Sequence, residues 1–264
     1  MILISSITRW FPVLFMIFMP IPVWSASFAP LIDTVRPSIV AVGTYSATNS
    51  PPSKFLGTGF VVADGHWIVT NHHVIPQTLD NEHYERLAVF SGRGNQAKVH
   101  FAHVEMDDLV HDLALLYIEG DPLPAIRLSG SDLPREGDEV VFTGFPIGMV
   151  LGLYPVTHHG MISAITPIVI PSFTSGRLTA AMIHAMETPF NVLQLDATAY
   201  PGNSGSPVFD VSSGVVVGII NMVFVKSTKE AVLRDPSGIS YAMPVKYINE
   251  LLEKAMKKAH DPGN

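Results

Sequence analysis

The sequence predicts an all-β chain built as two packed β-barrels with a C-terminal α-helix, and three observations carry that reading. Short apolar runs separated by Gly, Pro, Asn and Asp recur from residue 31 onward, a pattern that belongs to sandwiches or barrels of short strands. A composition break at 129–138, SGSDLPREGD, divides these runs into two sets of similar size. Helical periodicity shows only at the two ends of the chain.

Taken in order, the first set of strands is expected at 35–44, 57–62, 67–70, 87–90, 97–104 and 113–118. The second is expected at 139–143, 160–165, 192–196, 207–209, 215–223 and 239–242. A short turn or helix is expected over 33–37. Residues 245–259 place Val245, Ile248, Leu251, Leu252, Ala255 and Met256 on one helical face. Pro244 suits the first turn of that helix, and Lys254, Lys257 and Lys258 suit the negative end of its dipole. The resulting division is a first barrel over 28–130, a second over 131–243 and a closing helix over 244–260. Two stretches lie outside this scheme. Residues 166–190 form either a packed insertion or a loop that orders a binding pocket, and 225–238 reads as a solvated loop.

The 264 residues are 47% hydrophobic and 15% charged, enough to bury a full core. A net charge of −7 with only 16 Lys and Arg leaves no electrostatic footprint for nucleic acid, and no cationic cluster marks a lipid-surface patch. The absence of cysteine excludes disulfides and thiolate chemistry. At the N-terminus, Arg9 precedes a short apolar core interrupted by Pro12, Pro20 and Pro22, with small residues at Ser25, Ala26 and Ser27. This is the form of an export signal over 1–27, and it predicts a periplasmic or secreted mature chain without an integral membrane span. An uncleaved N-terminal anchor is the alternative.

Three stretches carry chemistry. In DATAYPGNSGSPVF, Ser204 sits between Gly202 and Gly205, where a tight turn projects the hydroxyl and frees nearby backbone N–H groups. In WIVTNHHVI an apolar strand runs out into His72 and His73, and either imidazole suits a general base near neutral pH. No cysteine cluster or His-Glu pair accompanies them or the second pair, His158 and His159, so no metal is expected. In HDLALLYI, Asp112 stands at the mouth of an apolar strand, where a carboxylate can orient an imidazole; Asp107 and Asp108 compete with it on spacing alone.

The order His, Asp, Ser across an all-β chain is that of chymotrypsin-like serine proteases. Together GTGFVVADGHWIVTNHHVI, HDLALLYI, GMISAI, DATAYPGNSGSPV and GISYAMP resemble the protease domain of the HtrA (Deg) family over roughly residues 31–252. The resemblance implies His73 as base, Asp112 as its orienting acid and Ser204 as nucleophile. It also implies an oxyanion hole from the N–H groups of Gly202 and Ser204, and no cofactor. The family's second glycine after the serine is Ser206 here, Asn203 replaces the aspartate of digestive trypsins, and no PDZ domain is expected. Thr198, Ile220, Asn221, Met222 and Val223 are expected to line the pocket for the residue before the cut. Its uncharged floor at Thr198 favours small or medium aliphatic side chains. Protein or peptide substrates are the implied partners, and a homo-oligomer is left open. The rival reading is a chaperone-like or binding protein on a protease fold, with its site unassembled.

Overall fold

The structure, a computed structural model, describes residues 27–146, 152–167, 189–221 and 238–260. Residues 1–26, expected as an export signal, most of the 166–190 insertion and the 225–237 loop lie outside the described residues.

Strands β1 (Ile39–Tyr45), β2 (Ser53–Val62), β3 (Trp67–Thr70), β4 (Arg86–Ser91), β5 (Lys98–Asp108) and β6 (Leu113–Ile118) close a barrel in the order β1-β2-β3-β6-β5-β4. Strands β7 (Glu139–Gly144), β8 (Val156–Pro167), β9 (Asn191–Asp196), β10 (Pro207–Asp210), β11 (Val216–Asn221) and β12 (Ile239–Pro244) close a second in the order β10-β11-β12-β9-β8-β7. Successive strand residues point to opposite faces, so most strands feed two apolar clusters. Val40 and Val42 of β1 join Val61, Ile68, Val89 and Leu116 in a cluster confined to the first barrel. Their neighbours Ile39 and Ala41 join Phe60, Val69 and Leu115 in a larger cluster that extends to Val141, Phe209, Ile219 and the C-terminal helix. Strands buried on both faces appear in the sequence as near-continuous apolar runs.

β2 and β8 each begin four residues before the expected 57 and 160, and two other strand boundaries differ from expectation for identifiable reasons. Residues 35–38 are not strand: helix α1 (Ala29–Val35) carries Pro30 in its first turn and runs into a 3-10 turn, Arg36–Ser38, so β1 begins at Ile39. Pro37, with no N–H to give to a ladder, suits that turn. β5 runs four residues past 104, through a bulge between Val104 and Met106. Its polar tail, Glu105, Asp107 and Asp108, hides a strand that pairs with β6 up to Leu113.

The link between barrels is laced to both. Ile126 N–H donates to Val61 O, Ser129 N–H to Val216 O, and Val216 N–H to Arg127 O. Helix α2 (Val245–His260) lays Val245, Tyr247, Ile248, Leu251 and Ala255 into the shared cluster. Pro244 sits just before it as the last residue of β12. The Asn249 amide donates to Ser129 O at 3.0 Å, tying the helix to the link.

Candidate active site

The histidines of the 71–74 stretch part company once folded. β3 pairs with β6 through Thr70 and Ala114, which brings the turn after β3 beside the start of β6. Asn71 is buried and its amide donates to Asp112 O at 3.0 Å, while His72 N–H donates to the same oxygen at 3.1 Å. In the 3-10 turn His72–Val74, the two rings then go to different carboxylates. His73 donates its backbone N–H to Asp112 Oδ1 at 2.9 Å, and its Nδ1 lies 2.6 Å from Asp112 Oδ2. The His72 Nδ1 lies 3.0 Å from Asp107 Oδ2 instead. A proton on His73 Nδ1 facing the carboxylate leaves Nε2 with a lone pair to accept one, the form a general base requires.

Asp112 is nine-tenths buried and holds a left-handed backbone, φ +54°. A non-glycine residue there costs on the order of 1–3 kcal/mol and persists only where neighbours over-determine it. They do here. Oδ1 takes the His73 N–H, Oδ2 takes the His73 ring and the Asn221 amide at 2.9 Å, and the main-chain oxygen takes two donors from the turn after β3.

Ser204 lies in a turn gripped from both barrels. Gly202 at φ +99° and Gly205 at φ +89° take backbone angles that disfavour a side chain. Any Cβ on Gly205 would fall 1.9 Å from Thr58 O. Thr58 of β2 is the link: its N–H donates to Ser204 O at 2.9 Å, its hydroxyl to Gly202 O at 2.7 Å, and that same hydroxyl accepts from Phe145 N–H. On the other side Gly205 N–H donates to Ile220 O and Ile220 N–H to Ser206 O, joining the turn to β11. The N–H groups of Gly202 and Ser204 make no hydrogen bond to any described residue. That is the condition for donors reserved for an oxyanion. Val74 and Ser204 O flank the same glycine, Gly57, which sets the Ser204 turn against the chain carrying His73. Among the described residues the Ser204 hydroxyl makes no hydrogen bond to His73; such contacts tighten when substrate binds.

Of the expected pocket residues, Thr198 is half-buried in a loop pinned by Ser240, whose hydroxyl donates to Ala197 O at 2.7 Å and accepts from Ala199 N–H at 2.8 Å. Ile220 is fully buried in the second barrel's own cluster, and the Asn221 amide is directed at Asp112. Met222 and Val223 lie outside the described residues. Near the Ser204 turn, His158 stacks on Phe142 with ring centroids 4.8 Å apart, and its Nε2 lies 3.5 Å from the amide of Asn203. Burial holds the His158 imidazole below its ordinary range. Sequence reasoning missed Thr58, Asn71 and the direction of the Asn221 amide. The only hint was polar residues set within apolar runs, which carries no address for the partner.

A family model, the trypsin-like peptidase domain, matches residues 57–219. The chain belongs to that family. Within it the chain is similar to the probable periplasmic serine endoprotease DegP-like of Marinomonas sp. (strain MWYL1), 31% identical over 199 residues, which covers 75% of this chain and 35% of that protein. The serine protease Do-like HtrA of Bacillus subtilis (strain 168) is 27% identical over 252 residues, 89% of this chain and 49% of that protein. The crystal structure of the serine endoprotease from Yersinia pestis superposes with a TM-score of 0.61 at 25% identity, covering 89% of this chain and 69% of that one. The curated relatives named here are DegP- and HtrA-like proteases, and the chain spans a third to a half of their length.

Proposed function

We propose that the chain is a serine endopeptidase that hydrolyses peptide bonds in protein substrates with Ser204, His73 and Asp112. The observation that supports it most is the double hold of the Asp112 carboxylate on His73, by backbone N–H and by ring Nδ1, beside a serine turn that strands of both barrels fix. Ser204 Oγ attacks the scissile carbonyl as His73 Nε2 takes its proton; the imidazolium then passes that proton to the leaving amine. Asp112 keeps the ring in the useful tautomer and stabilises its cation, and the N–H groups of Gly202 and Ser204 face the oxyanion. Water repeats the sequence on the acyl-enzyme. The uncharged Thr198 floor supports cleavage after small or medium aliphatic residues rather than after Arg or Lys.

Export to the periplasm or beyond is supported by the N-terminal sequence and by the periplasmic DegP-like relative. Among the described residues no helix is long and apolar enough to cross a membrane. Damaged or unfolded proteins are the proposed substrates, and self-association the proposed assembly.

Labelling by a fluorophosphonate probe, run beside cleavage of unfolded casein, tests the chemistry. Wild type is expected to label and cut, while Ser204→Ala and His73→Ala do neither; loss of such a unit lowers turnover by roughly a millionfold. Wild type that neither labels nor cuts would favour a binding protein on a protease fold.

A further inference from the structure

Immediately before Asp112 stands a second histidine–carboxylate pair, Asp108 and His111, that the reaction does not use. The His111 Nδ1 lies 2.6 Å from Asp108 Oδ2, and Asp108 Oδ1 also accepts the N–H groups of Val110, at 3.0 Å, and His111, at 3.1 Å. Burial alone would raise the Asp108 carboxyl, but hydrogen bonds from the His111 ring and backbone outweigh it and hold the group below the ordinary carboxylate range. The His111 ring is itself mostly covered. One contact is face to face with Tyr247 of α2, with centroids 3.9 Å apart and 18° between planes; the other is tilted on Phe190 at 4.6 Å. Phe190 and Tyr247 meet edge to face at 5.7 Å, which completes a three-ring stack.

Two kinds of contact converge on this one side chain. A phenylalanine at 111 would keep the stack and lose the carboxylate; a small hydroxyl residue would keep a donor and lose the stack. The next residue is Asp112, whose left-handed backbone needs its surroundings to hold it. We propose that His111 is a positioning residue for catalysis, clamping the 108–112 turn between the Asp108 carboxylate and the Tyr247 ring so that Asp112 meets His73 in register. The docking of α2 on the barrels thereby bears on the catalytic acid, although no residue of α2 enters the site.

This inference rests on the endopeptidase reading, and one experiment separates the two. The full chain is labelled with a fluorophosphonate probe over a range of probe concentrations, recording both the limiting rate and the final labelled fraction. In His111→Ala the labelled fraction is expected to stay complete while the limiting rate falls about tenfold, the scale of a small misplacement of a reacting group. His111→Phe, which keeps the stack, is expected between wild type and His111→Ala, and Tyr247→Phe is expected to match wild type. Where His111→Ala does not fold, His111→Phe carries the comparison. Variants that label at the wild-type rate, with either a full or a reduced final fraction, overturn the positioning role, because a purely structural residue changes how much protein is active and not how fast it reacts. Wild type that fails to label overturns the endopeptidase reading and this inference together.

Discussion

Asn221→Ala isolates the least obvious partner of Asp112, the proposed orienting acid. The Asn221 side chain is 1% exposed, and its amide donates to Asp112 Oδ2 at 2.9 Å, the same oxygen that the His73 ring uses at 2.6 Å. Truncation leaves the two His73 contacts in place and removes one donor from a nearly buried carboxylate. A hydrogen bond to a charged group contributes about 1.5–3 kcal/mol. If that is expressed fully in the transition state, where the carboxylate must stay aligned on an imidazolium, turnover falls roughly tenfold to a hundredfold at 1.36 kcal/mol per decade. Thr198 and the Ser240 contacts that pin its loop are untouched, so KM is expected to hold. Steady-state hydrolysis of a peptide with an aliphatic residue before the cut separates kcat from KM, and thermal melting reports the stability lost with the donor. A variant with unchanged kcat, or with unchanged kcat and a raised KM, would refute the reasoning, because it would show Asn221 acting on substrate and not on Asp112.

Gly205→Ala is expected to abolish labelling and lower the melting temperature, since a side chain at φ +89° would meet Thr58 O at 1.9 Å; a variant that labels normally shows that the turn can move without losing the site. Stability should also fall with acidity. Burial, helped by Lys98 at His100, holds the His100 and His158 imidazoles below their ordinary 6.5, so the unfolded chain binds more protons just below that pH. Their contribution is therefore complete above 6.5 and declines as the pH drops through it; His158→Gln should shrink the difference between denaturant midpoints at about pH 7.5 and pH 5.5, and an unchanged difference would count against it.

How legible the molecule was depends on the range of the interaction concerned. Two-sided burial writes apolar runs directly into the chain, which is why β3 and β6 appear in the sequence with the bounds they have in the fold. Local chemistry moved the other edges. Pro37 holds a 3-10 turn where apolar residues suggested strand, and the acidic tail of β5 looks like loop because its order comes from β6. The serine turn was readable because the glycines that permit it are its sequence neighbours. The proposed base and acid were not readable in the same way, since residue type alone does not separate His73 from His72 or Asp112 from Asp107 and Asp108. The pairing of Thr70 with Ala114 makes that separation physically, by setting one end of β3 against the start of β6. Thr58 and Asn221 lay further out of reach, because Thr58 acts on Gly202 across 144 positions and Asn221 on Asp112 across 109. A buried polar side chain must find a partner, so each such residue in an apolar run announces that a long-range contact exists without saying where. The contacts of Thr58 and Asn221 both cross the seam between the barrels, where closing the two barrels on a shared core brings a serine turn from one against a histidine and an aspartate from the other.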